Sequence, residues 1–159
     1  MKKLIPAIIL GVAAVLMLVS FFLPYATAGD DAMGEYANVS MVDFAKSYAE
    51  SEHIEYMVYV VLFGILALFT LLTVLFALIK KPIPAIVFVI LASIVYLIQC
   101  WDYKERGIVP GIRYEYGIGH YLFFISALSV FITSIWYLCV RNDKPTPPTY
   151  YNQYPNTPY

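Results

Sequence analysis

Charged residues make up only 13% of these 159 residues, about half the share found in soluble domains. Beyond the boundary residue Glu55, none falls inside four long apolar runs at about residues 4–23, 55–79, 84–101 and 118–140. Charges inside such runs are the usual mark of ion paths and proton relays, so their absence argues against a proton-coupled pump. Cysteine is scarce as well. Cys100 and Cys139 are too few for a disulfide framework. They sit at opposite ends of two runs, separated by roughly the 30 Å of a hydrocarbon core, which is far beyond disulfide reach. Catalytic signatures are missing: there is no HExxH, no G-x-S-x-G, no P-loop and no GxGxxG. The chain reads as a non-enzyme without a cofactor. With Lys+Arg 10 against Asp+Glu 11, there is no basic excess to suit nucleic acid either.

What the chain has instead is apolar length. Hydrophobic residues make up 61%, and the mean hydropathy is +0.71. A spanning helix needs about 20 apolar residues, and lipid forces every backbone group to find a partner within the protein. The expected fold is an all-α membrane protein, a bundle of four transmembrane helices over residues 1–140. Outer loops cover 24–54 and 102–117, and a Pro/Tyr-rich tail covers 141–159. The first run has a rival reading. Lys2-Lys3 resembles a signal-peptide n-region, and Ala26-Thr27-Ala28 has the form of a cleavage site. The run is longer than a signal h-region of about 7–15 residues, which favours a retained helix.

Lys80-Lys81-Pro82 sits between the second and third runs and sets the orientation. Lysine and arginine favour the cytoplasmic side. Lys2, Lys3, Lys80, Lys81, Arg141 and Lys144 fall together on one side, and the first loop on the other side has only Lys46. The second outer loop, with Lys104, Arg106 and Arg113, weakens this bias. The expected location is the plasma membrane, multi-pass, with both termini cytoplasmic.

The outer loops carry local signals. Ser40-Met41-Val42-Asp43 has capping-box spacing. Met41, Val42, Phe44, Ala45, Tyr48 and Ala49 then recur as in a short amphipathic helix that caps the bundle or lies on the membrane. Ile112 to Tyr116 alternates like a strand, with Gly34 to Asn38 as its guessed partner. Tyr56, Tyr59, Tyr96, Trp101 and Tyr103 read as aromatic belts at the outer interface, and Trp136 and Tyr137 as anchors at the inner one. Polar residues inside the runs, Gln99 and hydroxyls such as Ser20, Thr70, Thr73, Ser93, Ser126, Ser129 and Ser134, are expected mostly to bond helix backbone or a neighbouring helix. Ala7 and Gly11, and Ser129 and Thr133, form small-xxx-small pairs suited to bundle packing or a dimer seam. Gly64 reads as a site of close approach.

Three features bear on partners and chemistry. Glu52, His53, Glu55, Asp102 and His120 gather at the outer helix mouths. Such groups suit a divalent cation, but solvated interfacial residues explain them better, so no metal site is assigned. Asn38-Val39-Ser40 is an N-glycosylation sequon, meaningful only in a eukaryotic secretory pathway. In the tail, Pro147, Pro148 and Tyr150 form a PPxY pattern of the kind that docks in aromatic grooves. They are the candidate partner-binding residues, and a flexible tail is the plainer reading. Cys139 beside Arg141 is a palmitoylation candidate, though an inert thiol accounts for it as well.

Phe21-Phe22-Leu23-Pro24-Tyr25 closes the first run, and Gly117-Ile118-Gly119-His120-Tyr121 opens the fourth. On these two segments the chain resembles uncharacterised bacterial four-helix membrane proteins, a group that supplies no activity to carry over. The topology is also similar to that of claudins, but their Trp…Gly-Leu-Trp…Cys…Cys loop signature is absent, as is the Cys-Cys-Gly motif of tetraspanins. The expectation is a non-catalytic scaffold or accessory subunit that meets the bilayer and a protein partner through its tail or outer loops. Two alternatives are a channel or transporter subunit, which would need a homo-oligomer, and an enzyme at the outer interface using His53 and His120.

Overall fold

Apolar residues alone decide where the long helices lie. The computed structural model describes residues 4–28, 38–51, 54–111 and 114–142. Its helices are α1 (Leu4–Val19), α2 (Met41–Glu50), α3 (Ile54–Leu78), α4 (Pro82–Glu105) and α5 (Ile118–Asn142). Its strands are β1 (Pro24–Ala28), β2 (Val39–Ser40) and β3 (Tyr114–Tyr116), and a 3-10 turn over Ser20–Phe22 extends α1. Four of these segments, Leu4–Phe22, Met57–Leu78, Pro82–Glu105 and Ile118–Val140, are long and apolar enough to cross a membrane. The protein is an all-α, multi-pass membrane protein of four spanning helices with a small sheet at one end.

The four spanning helices close a ring: α1 packs on α3, α3 on α4, α4 on α5, and α5 back on α1. Residues facing the centre, among them Leu10, Met17, Leu66, Val89, Phe123 and Val130, are fully or nearly fully buried. Leucine, isoleucine and valine on the outward faces stay exposed, as lipid-facing residues do. Gly64 lies on such an outward face. A Cβ placed there would meet nothing within 4 Å, so it is not the point of close approach that its residue type suggests.

Two helix ends are closed by the same device. After Leu78 the chain turns through Lys80, whose φ is 58°. The Lys81 amide donates to the Phe76 carbonyl (2.9 Å) and the Lys80 amide to that of Ala77 (3.1 Å). This is the paired bonding of a Schellman cap. Glycine is the usual residue there, because a side chain in the left-handed region costs roughly 1–2 kcal/mol. Pro82 then takes the first position of α4, where its missing N–H costs nothing. At the other end of α4, Ile108 donates to Tyr103 (2.9 Å) and Gly107 to Lys104 (3.0 Å). Here the left-handed residue is a glycine, Gly107, with φ 65°. The helix therefore continues through Asp102 to Glu105, which reads as loop from the sequence.

The sheet has the order β2-β1-β3, antiparallel throughout. Tyr114–Tyr116 is a strand, as its alternation suggests. Its partner is β1, with Ala26 opposite Tyr116 and Ala28 opposite Tyr114. The guessed partner segment falls mostly outside the described residues. β1 arises where Pro24 ends the helix. Leu23, the residue before it, is driven to extended backbone (φ −85°, ψ 157°). Proline tolerates the first position of a strand.

α2 caps the bundle. The capping box is complete: the Asp43 amide donates to Ser40 Oγ (3.1 Å), while the Ser40 hydroxyl (2.7 Å) and amide (3.1 Å) both donate to Asp43 Oδ2. Met41 is buried, and Val42, Phe44 and Tyr48 pack against the core. The Ser40 bonds hold the Asp43 carboxyl below its ordinary value of 3.8. A lowered folded-state value means that the carboxylate supports the fold above the ordinary aspartate range and ceases to as pH falls below it. The protection of α2 amides, taken relative to an unfolded peptide at the same pH, is therefore expected to fall on acidification through and below pH 3.8, and Asp43→Asn should remove that step. Ser40→Ala should cost about 1 kcal/mol at neutral pH.

Candidate functional site at the sheet end

Pro24 delivers Tyr25 into the top of the bundle. Its side chain is 1% exposed. The ring lies 5.7–6.3 Å, centroid to centroid, from His120, Tyr103, Phe44, Tyr116 and Tyr96. All five approaches are edge-on, with interplanar angles of 66° to 86°, the arrangement that aromatic quadrupoles favour. The Tyr25 hydroxyl reaches Cys100 Sγ at 3.6 Å. Burial, with the Cys100 thiol beside it, pushes the Tyr25 phenol far above its ordinary value. Burial raises the Tyr116 phenol too. Both phenols are held in their neutral form, and that of Tyr25 is spent on the contact with sulfur.

His120 completes the cluster. Its Nδ1 lies 3.0 Å from the Tyr96 hydroxyl and 4.0 Å from Cys100 Sγ. The imidazole stacks on Tyr116 at 4.0 Å. A hydroxyl that donates to Nδ1 leaves the ring proton on Nε2. β1, α4, β3 and α5 thus each bring a side chain to one spot. His120 is not the solvated interfacial residue expected from its position at a helix mouth. Asp102 points elsewhere. It accepts from the Tyr59 hydroxyl at 2.8 Å and pairs with Arg106 Nε at 3.1 Å. The Arg106 guanidinium sits 5.0 Å over the Tyr59 ring, and the Asp102 carboxylate raises its pKa. The structure therefore separates Asp102 from His120. Glu52 and His53, like Pro147, Pro148 and Tyr150 of the tail, lie outside the described residues. Among the described residues no group of three or more His, Cys, Asp or Glu is placed to hold a metal ion.

The aromatic residues divide in a way that their spacing does not reveal. Phe22 and Trp101, both 67% exposed, face outward like belt residues. Phe21, Tyr25, Tyr59, Tyr96 and Tyr103 are interior. Tyr48 bridges α2 to this interior, 5.1 Å from the Tyr59 ring and 6.5 Å from Tyr103. Cys100 is buried in the cluster, and Cys139 is exposed.

Glycine permits the cluster to close. The Gly117 amide donates to the Tyr25 carbonyl at 2.7 Å. A Cβ on Gly117 would run into the Pro24 carbonyl. One on Gly119 would lie 2.8 Å from the carbonyl oxygens of Leu23 and Ser20. The Phe21–Tyr25 and Gly117–Tyr121 segments are therefore two halves of one contact.

Below the cluster, some buried polar groups lack partners. Ser20, Thr73, Ser93 and Ser129 return their hydroxyls to backbone carbonyls three or four residues earlier, as expected. Thr70, Ser126 and Ser134 have no hydrogen-bond partner among the described residues, and neither amide atom of Gln99, 1% exposed, has one. No protein-family model, curated protein or solved structure matches this chain.

Thermal unfolding in detergent should rank these contacts. Tyr25→Ala is expected to lose about 3–5 kcal/mol, the range for a buried aromatic. Tyr25→Phe, which gives up only the bond to sulfur, should lose about 1 kcal/mol or less. Gly119→Ala should cost roughly 1–3 kcal/mol by overpacking against backbone. Gly64→Ala, facing open space, should be neutral or gain up to about 1 kcal/mol.

Proposed function

We propose that this chain is a non-catalytic scaffold or accessory subunit of a plasma-membrane complex. Both termini are cytoplasmic in this reading, and the sheet end faces out. The observation that carries it is the Tyr25-centred plug. The Tyr25 hydroxyl is turned onto Cys100 and the Tyr96 hydroxyl onto His120, and the rings tie β1, α2, α4 and α5 into one platform. A part built this way presents a surface and does not need to open. On the opposite side the PPxY residues Pro147, Pro148 and Tyr150 supply a docking segment of the polyproline type.

A second reading, a channel or transporter subunit, draws on the unpartnered Thr70, Gln99, Ser126 and Ser134 within the spans. Unpaired polar atoms in the interior cost about 1–3 kcal/mol each, and solute paths are one reason to keep them.

One pair of measurements separates the two. The scaffold reading expects the full chain, extracted with native lipid, to hold a stoichiometric protein partner. That partner should weaken when residues 143–159 are removed, and proteoliposomes should pass no ions or small solutes. Gln99→Met should then raise thermal stability by about 1–3 kcal/mol and leave partner capture unchanged. Solute flux that Gln99→Met reduces would overturn the scaffold reading, as would a clean monomer that holds nothing.

A further inference from the structure

At the end of the bundle opposite the sheet, α1 and α3 leave a groove of about 460 Å³ between them. This lies within the usual range for a small-molecule site. Small residues make room for it: Ala7 and Gly11 on α1 face Ala77 on α3. Leu4, Ile8, Val12 and Leu78 form its walls and are themselves more than half exposed, so the groove opens on the outer surface of the bundle. There is room at its floor: the nearest atom to a Cβ on Gly11 would be the end of Leu78 at 3.6 Å. Every lining residue is apolar except one. Lys80 stands at the mouth.

Lys80 is held there by its backbone. It occupies the left-handed position of the Schellman cap, where glycine or asparagine is the ordinary choice. A residue kept in an unfavourable backbone region points to a task for its side chain. A lysine at the end of a spanning helix lays its methylenes along apolar surface and lifts its ammonium to the headgroup level. Lys81 follows it and is exposed. In the sequence, Lys2 and Lys3 immediately precede Leu4, which lines the same groove.

We propose that this groove binds one anionic membrane phospholipid, with an acyl chain between α1 and α3 and the phosphate on Lys80. Charge complementarity selects this occupant over a second copy of the chain. Two copies sharing the groove about an axis normal to the membrane would bring both Lys80 residues to the same depth, where like charges repel. An anionic headgroup near the surface gains roughly fivefold in affinity for each lysine it meets.

Native mass spectrometry of the full chain in a neutral detergent tests this. The probes are phosphatidylglycerol and phosphatidylcholine with identical acyl chains. The wild-type chain should retain one phosphatidylglycerol, roughly fivefold over phosphatidylcholine. Lys80→Asn, which keeps a residue tolerant of the left-handed turn, should bind both lipids alike. Gly11→Leu, which fills the groove, should retain neither above the detergent background. Ala7→Leu fills it from one turn away and serves if Gly11→Leu fails to fold. Equal retention of both lipids by the wild type would overturn the proposal. So would wild-type retention by a folded groove-filling variant, or a dimer that these variants abolish.

Discussion

The backbone of Pro24–Tyr25 and that of Gly117 approach so closely that only hydrogen fits between them, and the sheet end depends on this contact. It is made by a 2.7 Å hydrogen bond from the Gly117 amide to the Tyr25 carbonyl and by two glycines whose Cβ atoms would strike carbonyl oxygens. Tyr25 enters the bundle from that point and touches rings from α2, α4, β3 and α5. Each ring pair contributes on the order of 1 kcal/mol beyond its buried area. The cluster therefore holds β1, β3 and α2 to the helices by ring packing, with both cysteines free. In a ring of helices whose outer surfaces face lipid, apolar burial between helices gives little drive. Specific packing of this kind carries more of the load.

The opposite end is built on another principle. There the helices meet through small residues, the turn is closed by backbone bonds, and the side chain at the sterically worst position is a lysine. One end of the molecule is filled with neutral aromatics that satisfy one another, and the other keeps a groove and fixed positive charge. That asymmetry is the physical content behind a reading in which one face is a platform and the other meets lipid headgroups.

The four spans were legible because membranes impose a length of about 20 apolar residues and tolerate few exceptions. The capping box at Ser40 and Asp43 was legible because its partners are three residues apart. The plug was not. Tyrosine is equally at home in an interfacial belt and in a buried, hydrogen-bonded interior, so the spacing of Tyr25, Tyr59, Tyr96 and Tyr103 could not separate the two. Trp101 and Phe22 carry the same pattern and face outward. β1 was hidden because a proline and the four residues after it give too little alternation to read. Gly64 and Gly119 illustrate the same limit. Gly64 reads as a packing glycine and Gly119 only as part of a helix opening, and only the fold reveals that the first faces open space and the second carbonyl oxygens. The tail motif and His53 lie outside the described residues, so the structure adds nothing to them.

Hydrogen exchange at the Gly117 amide tests the central claim most directly. Its only barrier to exchange is the bond to the Tyr25 carbonyl and the plug around it. If that contact holds the sheet end to the bundle, this amide should exchange as slowly as those in the middle of α5, opening only with the fold as a whole. Exchange at the rate of an unstructured peptide, with α5 still protected, would mean that the plug opens independently and that the bundle does not depend on it.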